Sequence, residues 1–305
     1  MGNKNVTVSV NMITYMHELY IKEAIEGVLM QKTDFNFELI IADDCSPDRT
    51  PEIIENIIKT HPQGHKIKYF RHEKNIGMQA NGVFAYNQCD GKYIALCEGD
   101  DYWTDPLKLQ KQVNFLEKNI EYVLCFHEIN ILKTDGQIVD DFITKVPENY
   151  ETIEDLAESG NCIHTPSVVF RNIIEEFSFE FQLSPIGDYF LYIMLAEYGK
   201  IKCLNEKMAI YRFESGFYSK LTYSQKFKKW NRTLLLILSY CKNDKVKSIM
   251  LKTLFDSLKL NDDVESKQKI NSSTKKRFIK IVKLLIPPIF LLIKRKISSL
   301  RYVSK

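Results

Sequence analysis

Glu98, Asp100 and Asp101 follow directly on an apolar run in the segment YIALCEGDDYWTDP. Carboxylates so close together repel one another unless a cation compensates them. A hard divalent ion, Mg2+ or Mn2+, is the simplest compensation, because it takes one or two carboxylates together with the phosphates of a substrate. A lone Asp-Asp pair reads more readily as a solvated turn or helix cap. Here the position after an apolar strand and a second acidic pair, Asp43-Asp44, at the end of another apolar run favour a site. Acidic residues in that second position accept hydrogen bonds from a base or ribose, or simply end a turn. Asp188, between Ile186-Gly187 and the apolar FLYIML, reads as a helix cap or as a general base for an acceptor hydroxyl, with the cap the commoner role. His164 in IHTPS lines a site or packs with its hydrogen bonds satisfied, and the loop holding Asn75 and Gly77 adds a weak signal.

These residues need elements that bring them to one edge. The short β-branched run VTVSVNMI ends at Thr14-Tyr15, and an amphipathic helix follows with Leu19, Ile21, Ala24, Ile25, Val28 and Leu29 on its apolar face. FELIIA (37–42) is a continuous apolar strand, and Pro51 opens the next helix at a first-turn position. KIKYFRH (66–72) and YIALC (93–97) are further strands, and helix 106–118 and strand YVLCFHEINIL complete a Rossmann-like half. Apolar strands alternating with helices predict a mostly parallel sheet covered on both faces, with ligands beyond the carboxyl ends of its strands. Asp135-Gly136 marks a hairpin turn, TIEDLAESG a polar helix and TPSVVFR (165–171) a strand.

Composition narrows the class. The 305 residues suffice for one large α/β domain and a smaller appendage, and a net charge of +3 from near-balanced acids and bases argues against a nucleic-acid partner. Seven cysteines without metal or CxxC spacing read as packing residues of a reducing compartment. The N-terminal MGNKNVTVSV lacks the charge and apolar pattern of a secretion signal, so the expected location is cytoplasmic, and Val6 argues against myristoylation. Neither GxGxxG nor GxxxxGK[ST] occurs, which removes the main support for a dehydrogenase or a P-loop enzyme.

Taken together, VSVNMITYMHELYIKEAI, LIIADDCSPDRT, GKYIALCEGDDYWTDPLKLQKQ and IGDYFLYIML resemble glycosyltransferase family 2, whose members have the GT-A fold and invert configuration. The resemblance covers roughly residues 5–220. It implies an α/β domain over 1–220, with a nucleotide-binding half at about 5–130 and an acceptor half at about 131–220, followed by a helical region 221–305. It implies nucleotide contacts from Thr14, Tyr15 and Asp44 with Asp43 close by, and a metal motif in which Asp100 turns toward ribose and metal and Asp101 toward metal and diphosphate. Glu98 stands in for the commoner leading Asp. Asp188 takes the place of the catalytic base. HTPSVVFR resembles the acceptor-side strand, so His164 and Ser167 are expected in the pocket, and YRFESGFYSK resembles a segment that closes over the donor, with Arg212 neutralising the diphosphate. Met16 and Glu214 depart from that pattern, at positions where Asn and His are common.

The implied reaction moves a sugar from a nucleotide-diphosphate donor, a UDP-sugar first of all, to a hydroxyl of a glycan or polyprenyl-linked acceptor in cell-surface polysaccharide synthesis. Two other readings stay open: nucleotidyl transfer, which normally needs a Gly-rich basic phosphate loop near the N-terminus, and a non-catalytic sugar-nucleotide binder. The segment KKRFIKIVKLLIPPIFLLIKRK (275–296) has an apolar stretch of roughly fifteen residues between basic clusters, short of the ~20 that a spanning helix needs. It reads as a peripheral anchor on an anionic inner leaflet, the alternative being a helix packed on the domain.

Overall fold

The computed structural model describes residues 6–216 and 219–267, and segment 275–296 lies outside them. The chain divides into one compact unit, 1–254, and a second, 255–305.

The first unit is built on a mixed sheet of order β3-β2-β1-β4-β8-β6-β9-β5, with β7 paired to β6. Its first half is parallel: β1 (Val8–Thr14) lies between β2 (Phe37–Asp43) and β4 (Tyr93–Leu96), and β3 (Ile67–Arg71) pairs with β2. All seven residues of β2 are buried, which explains why that strand reads as unbroken apolar sequence rather than as an alternation. The helices α1 (Ile21–Leu29), α2 (Thr50–Thr60) and α3 (Met78–Asn87) make the crossovers. Leu19, assigned to the apolar face of α1, precedes the helix and is exposed.

The second half departs from the parallel expectation. The strand β6 (Tyr122–Leu132), which follows α4 (Lys108–Lys118), does not join β4. Instead β8 (Val169–Arg171) inserts between them, antiparallel to both. The long strand β9 (Lys200–Arg212) runs parallel to β6 and pairs at its far end with the short β5 (Tyr102–Trp103). The turn at Gly136, with φ +84°, closes the hairpin from β6 to β7 (Ile138–Asp140). Helix α5 (Ile153–Ser159) starts at a capping box between Thr152 and Asp155. A short α6 (Phe179–Gln182) precedes α7 (Gly187–Ala196), in which every residue from Tyr189 to Ala196 is buried, as an apolar helix with no polar face must be.

The α/β fold with flanking helices thus holds, but its compact unit runs past the expected boundary at 220. Helix α8 (Tyr223–Tyr240) buries Leu234, Ile237 and Leu238, and α9 (Asp244–Lys267) buries Val246, Met250 and Leu254. Among the described residues no helix is long and apolar enough to cross a membrane.

Two cross-braces fix the turn that carries His164. The Trp103 indole donates to the Pro166 carbonyl at 2.8 Å, and Gln112 Nε2 donates to the carbonyls of Ser167 (2.9 Å) and Cys125 (3.2 Å). Gln112 Oε1 also accepts from the fully buried Lys108 amine at 2.7 Å, which lies over the Trp103 ring. Replacing Gln112 with Leu leaves a buried carbonyl and a buried amine without partners. The expected loss is about 2–5 kcal/mol, read as a drop in Tm on the order of 10 °C. A drop within 2 °C would show that water or a neighbour replaces the amide.

Candidate active site

The parallel half of the sheet delivers its carboxyl ends to one edge. Register alone places Thr14 beside Asp43, and the chain after β4 is tied to β1 by the Cys97 and Gly99 amides, which donate to the carbonyls of Asn11 and Ile13. This edge opens into a cleft of about 550 Å3, lined among others by Asn11, Gln79, Glu98, Asp100, Thr144, Asn161, His164, Asp188, Tyr211, Gly216 and Trp230. Glu98 and Asp100 share it with His164 and Asp188, which are far from them in the chain.

Glu98, Asp100 and Asp101 each bring one carboxylate oxygen to within 4.8 Å of the others, the one such group among the described residues. Asp100 and Asp101 are buried. Asp101 Oδ1 accepts from the Arg212 amide at 2.8 Å, whereas its buried Oδ2 has no hydrogen-bond partner. Burial first, then the neighbouring Asp100 charge, lifts the Asp101 carboxyl well above the ordinary carboxylate range. Burial, Asp100 and Asp188 push Glu98 up to about 8. Buried oxygen donors that raise one another's proton affinity, with an acceptor left unpartnered, fit a hard divalent cation such as Mg2+ or Mn2+.

The segment after β9 closes over this cluster. Ser215 Oγ donates to Asp100 Oδ2 at 2.9 Å, and a Cβ on Gly216 would lie 3.3 Å from the same oxygen. Ser215 was not singled out in the sequence, because a serine in a turn carries no pattern of its own. The Arg212 guanidinium, expected to face a diphosphate, pairs with Glu23 and lies against the rings of Tyr20 and Tyr102, 5.1 and 4.7 Å from their centres.

The residues expected to meet the nucleotide split into two groups. Asp43 is fully buried and accepts from the Ser46 amide (2.8 Å) and the Tyr69 hydroxyl (2.9 Å), with the Arg71 guanidinium at 3.7 Å. Asp44 accepts from the amides of Ile76 (2.6 Å) and Gly77 (2.9 Å), fastening the Asn75–Gly77 loop to the end of β2. Asn75 Oδ1 accepts from the same Gly77 amide at 3.1 Å, and Gly77 at φ +90° needs the freedom of glycine. Thr14 is buried with its hydroxyl 3.1 Å from His17 Nδ1. These side chains therefore frame the edge, while the Tyr15 ring is exposed on it.

On the far wall, Asp188 sits in the first turn of α7 and is not its cap, which is Ile186. Asp188 Oδ1 accepts from the Tyr189 amide at 2.7 Å and Oδ2 from Asn161 Nδ2 at 2.9 Å, while burial raises its carboxyl above the ordinary range. His164 Nε2 lies 2.9 Å from Asp141 Oδ2, which also accepts from the Thr144 hydroxyl at 2.6 Å. Ser167, expected in the pocket, is fully buried instead; its hydroxyl donates to the His164 carbonyl at 2.6 Å and braces the turn. Asn161 and Asp141 are polar partners that only the fold brings to these positions. A second depression, about 630 Å3 and lined by Ile173–Phe179, Met194, Tyr198 and Tyr240, contains none of the clustered carboxylates.

A parallel half-sheet with an acidic-x-acidic-acidic cluster at its carboxyl edge, continued by an antiparallel insertion, defines the GT-A class of nucleotide-sugar fold. The model of the family described as "Glycosyl transferase family 2" matches residues 9–178, and the chain belongs to that family. An uncharacterized protein of Mycobacterium tuberculosis is 37% identical over 222 residues, which is 73% of this chain and 63% of that protein. The chain thus spans somewhat less than two thirds of that relative's length. Among solved structures, Staphylococcus aureus TarS 1–349 in complex with UDP-GlcNAc shares the fold at a TM-score of 0.64 and 18% identity, covering 90% of this chain and 79% of that one. The Pyrobaculum calidifontis mannosyltransferase in complex with GDP-Man and Mn2+ does so at 0.61 and 13%, covering 93% and 82%.

The raised carboxyls make cation binding pH-dependent. Glu98 holds its proton more tightly folded than unfolded, so its contribution to stability is complete below its ordinary value of 4.5 and is lost as pH rises through about 8. A cation that binds the ionised form offsets this loss. At a hundredfold excess over Kd, Mn2+ is expected to add about 2.7 kcal/mol, or about 5–10 °C in Tm, at pH 8, and clearly less at pH 6. The difference with and without ion cancels the opposite trend of Lys108, whose amine burial lowers to about 7. Equal gains at both pH values would argue against a cation on these carboxylates.

Proposed function

We propose that this chain is a metal-dependent inverting glycosyltransferase that moves a sugar from a nucleotide-diphosphate sugar, a UDP-sugar first of all, to an acceptor hydroxyl. The observation that carries this reading is that the Glu98–Asp100–Asp101 cluster and the Asp188 carboxylate open onto the same cleft. The solved relatives were seen with UDP-GlcNAc and with GDP-Man and Mn2+, which supports a nucleotide-diphosphate sugar as the donor class.

Tyr15 offers an exposed ring to the base, Asp44 with the Asn75–Gly77 loop shapes its seat, and Asp100 faces the ribose. Asp101, Asp100 and Glu98 would hold Mg2+ or Mn2+, which would supply positive charge against that of the leaving diphosphate. Asp188 takes the proton of the acceptor hydroxyl as its oxygen attacks the anomeric carbon from the side opposite the leaving nucleotide, which inverts configuration. A raised proton affinity suits that role, because a base works best with a pKa near the operating pH. The cleft's apolar stretches and Trp230 face the acceptor, a glycan or polyprenyl-linked sugar of a growing cell-surface polysaccharide.

Calorimetric titration with UDP and with GDP, with and without Mn2+, tests the donor site. Mn2+-dependent binding is expected in the wild type and in Asp188→Asn, and is lost in Asp101→Asn. Turnover in Asp188→Asn should fall by about 10²–10⁴-fold. Normal turnover in that variant, or a product of retained configuration, would end the single-displacement reading, and binding with no turnover in the wild type would favour the binding module.

The basic and apolar segment 275–296 is the proposed contact with the inner face of the membrane. Deleting residues 275–305 is expected to abolish co-sedimentation with vesicles containing anionic lipid. Unchanged sedimentation would dismiss the anchor.

A further inference from the structure

The far wall of the cleft contains a side chain that the proposed chemistry has not used. Asn161 follows α5 and places its Nδ2 2.9 Å from Asp188 Oδ2, across a separation of 27 residues. Its own Oδ1 accepts from the Ile163 amide at 3.2 Å. This second contact settles which end of the amide faces the acid: the oxygen is committed to the backbone, so the Nδ2 end faces Asp188 and donates one N–H to it. The loop that carries Asn161 is itself held firmly. The Gly160 amide donates to the Leu156 carbonyl at 3.1 Å, the Tyr150 hydroxyl donates to the Gly160 carbonyl at 2.8 Å, and the Trp230 indole lies 3.5 Å from where a Cβ on Gly160 would stand. Gly160 has φ +75°, so an L side chain there would be strained as well as crowded.

We propose that Asn161 is the positioning residue for Asp188, fixing the rotation of its carboxylate and holding it in the ionised form so that its remaining lone pairs face the acceptor hydroxyl. The proposal rests on the reading of Asp188 as the base. Asp188 Oδ1 is already turned to the Tyr189 amide, so the two donors together leave the carboxylate a single orientation. A hydrogen bond to a carboxylate favours its charged form, and it opposes burial, which favours the neutral acid. The titratable groups that face Asp188 are Glu98 at the end of β4, His164 in the turn before β8, Tyr192 on α7 itself and Tyr211 on β9. None of these side chains donates a hydrogen bond to Asp188, whereas Asn161 does so at every pH.

Two variants separate this role from a merely structural one. Asn161→Leu keeps the approximate shape and removes every polar contact. Asn161→Ser keeps a hydroxyl acceptor for the Ile163 amide two residues on, adds no charge, and is too short to donate to Asp188. The ¹³C carboxyl resonance of Asp188, assigned by its loss in Asp188→Asn, is titrated in the full-length protein and needs no substrate. Both variants are expected to raise the apparent pKa of Asp188 by one unit or more, a tenfold or greater gain in proton affinity. With the donor found by the calorimetric screen, kcat should fall about tenfold or more at pH 7 while donor KM and Mn2+ affinity hold. A shift in Asn161→Leu alone would assign Asn161 to the Ile163 turn and overturn the proposal, as would no shift in either variant. Activity in Asp188→Asn would instead overturn the base reading while leaving the titration result standing.

Discussion

Everything at this site depends on one electrostatic constraint: carboxylates that cannot all be ionised in the place where the fold puts them. The carboxyl edge of the parallel half-sheet buries Asp100 and Asp101, brings Glu98 into their field, and sets Asp188 against Glu98. Such a cluster has three escapes: to take up protons, to recruit a basic side chain, or to take a cation. The nearby guanidinium of Arg212 pairs with Glu23 and stacks on two aromatic rings, and although its charge lowers the Asp101 proton affinity, that carboxyl stays well above the ordinary range, so the second escape is only partial. The framing contacts make sense in this light. Asp43 and Asp44 spend their charges on backbone amides and a tyrosine hydroxyl, which leaves the unsolved charge confined to the three residues after β4.

How far could this be read from the chain alone? The first half was largely legible, because buried parallel strands are continuous apolar runs and their polar carboxyl ends stand out against them. The motif at 98–101 and the acid opening α7 were visible for the same reason. The second half was less so. A three-residue strand such as β8 has too little length for periodicity to show, and nothing local tells that it inserts between β4 and β6. Side-chain direction was also hidden. Asp43 and Arg212 occupy the expected neighbourhood, yet Tyr69 and Glu23, remote in sequence, engage them in bracing contacts, while Thr14 and Ser167 turn to His17 and His164 three residues away, contacts that only the fold of each turn reveals. Asn161 and Ser215 were overlooked because a single Asn or Ser in a loop gives no signal until the fold supplies its partner.

The two departures from the family pattern have a common conformational character. Met16 and Glu214 both have positive φ, at 59° and 64°, as has Cys45 at 62°. Asn tolerates that backbone region better than a side chain such as Met does. All three residues lie in the loops that follow β1, β2 and β9. Local backbone strain of this kind is held in place by the surrounding structure and concentrates where a ligand is clamped.

The junction of α3 with α7 has a consequence for recombination between relatives. Gln79 of α3 reaches across to donate to the Phe181 carbonyl at 2.8 Å, and it does so through space that any side chain at Gly187 would occupy. The residue beside Gly187 is Asp188, so the seam between the halves runs directly under the acid. A chimera that brings any side chain to position 187 would push the Gln79 amide aside and give up its bond to Phe181. Positions 79 and 187 therefore behave as one heritable unit, and shuffling that separates them trades away the hydrogen bond that ties the two sides of the seam together.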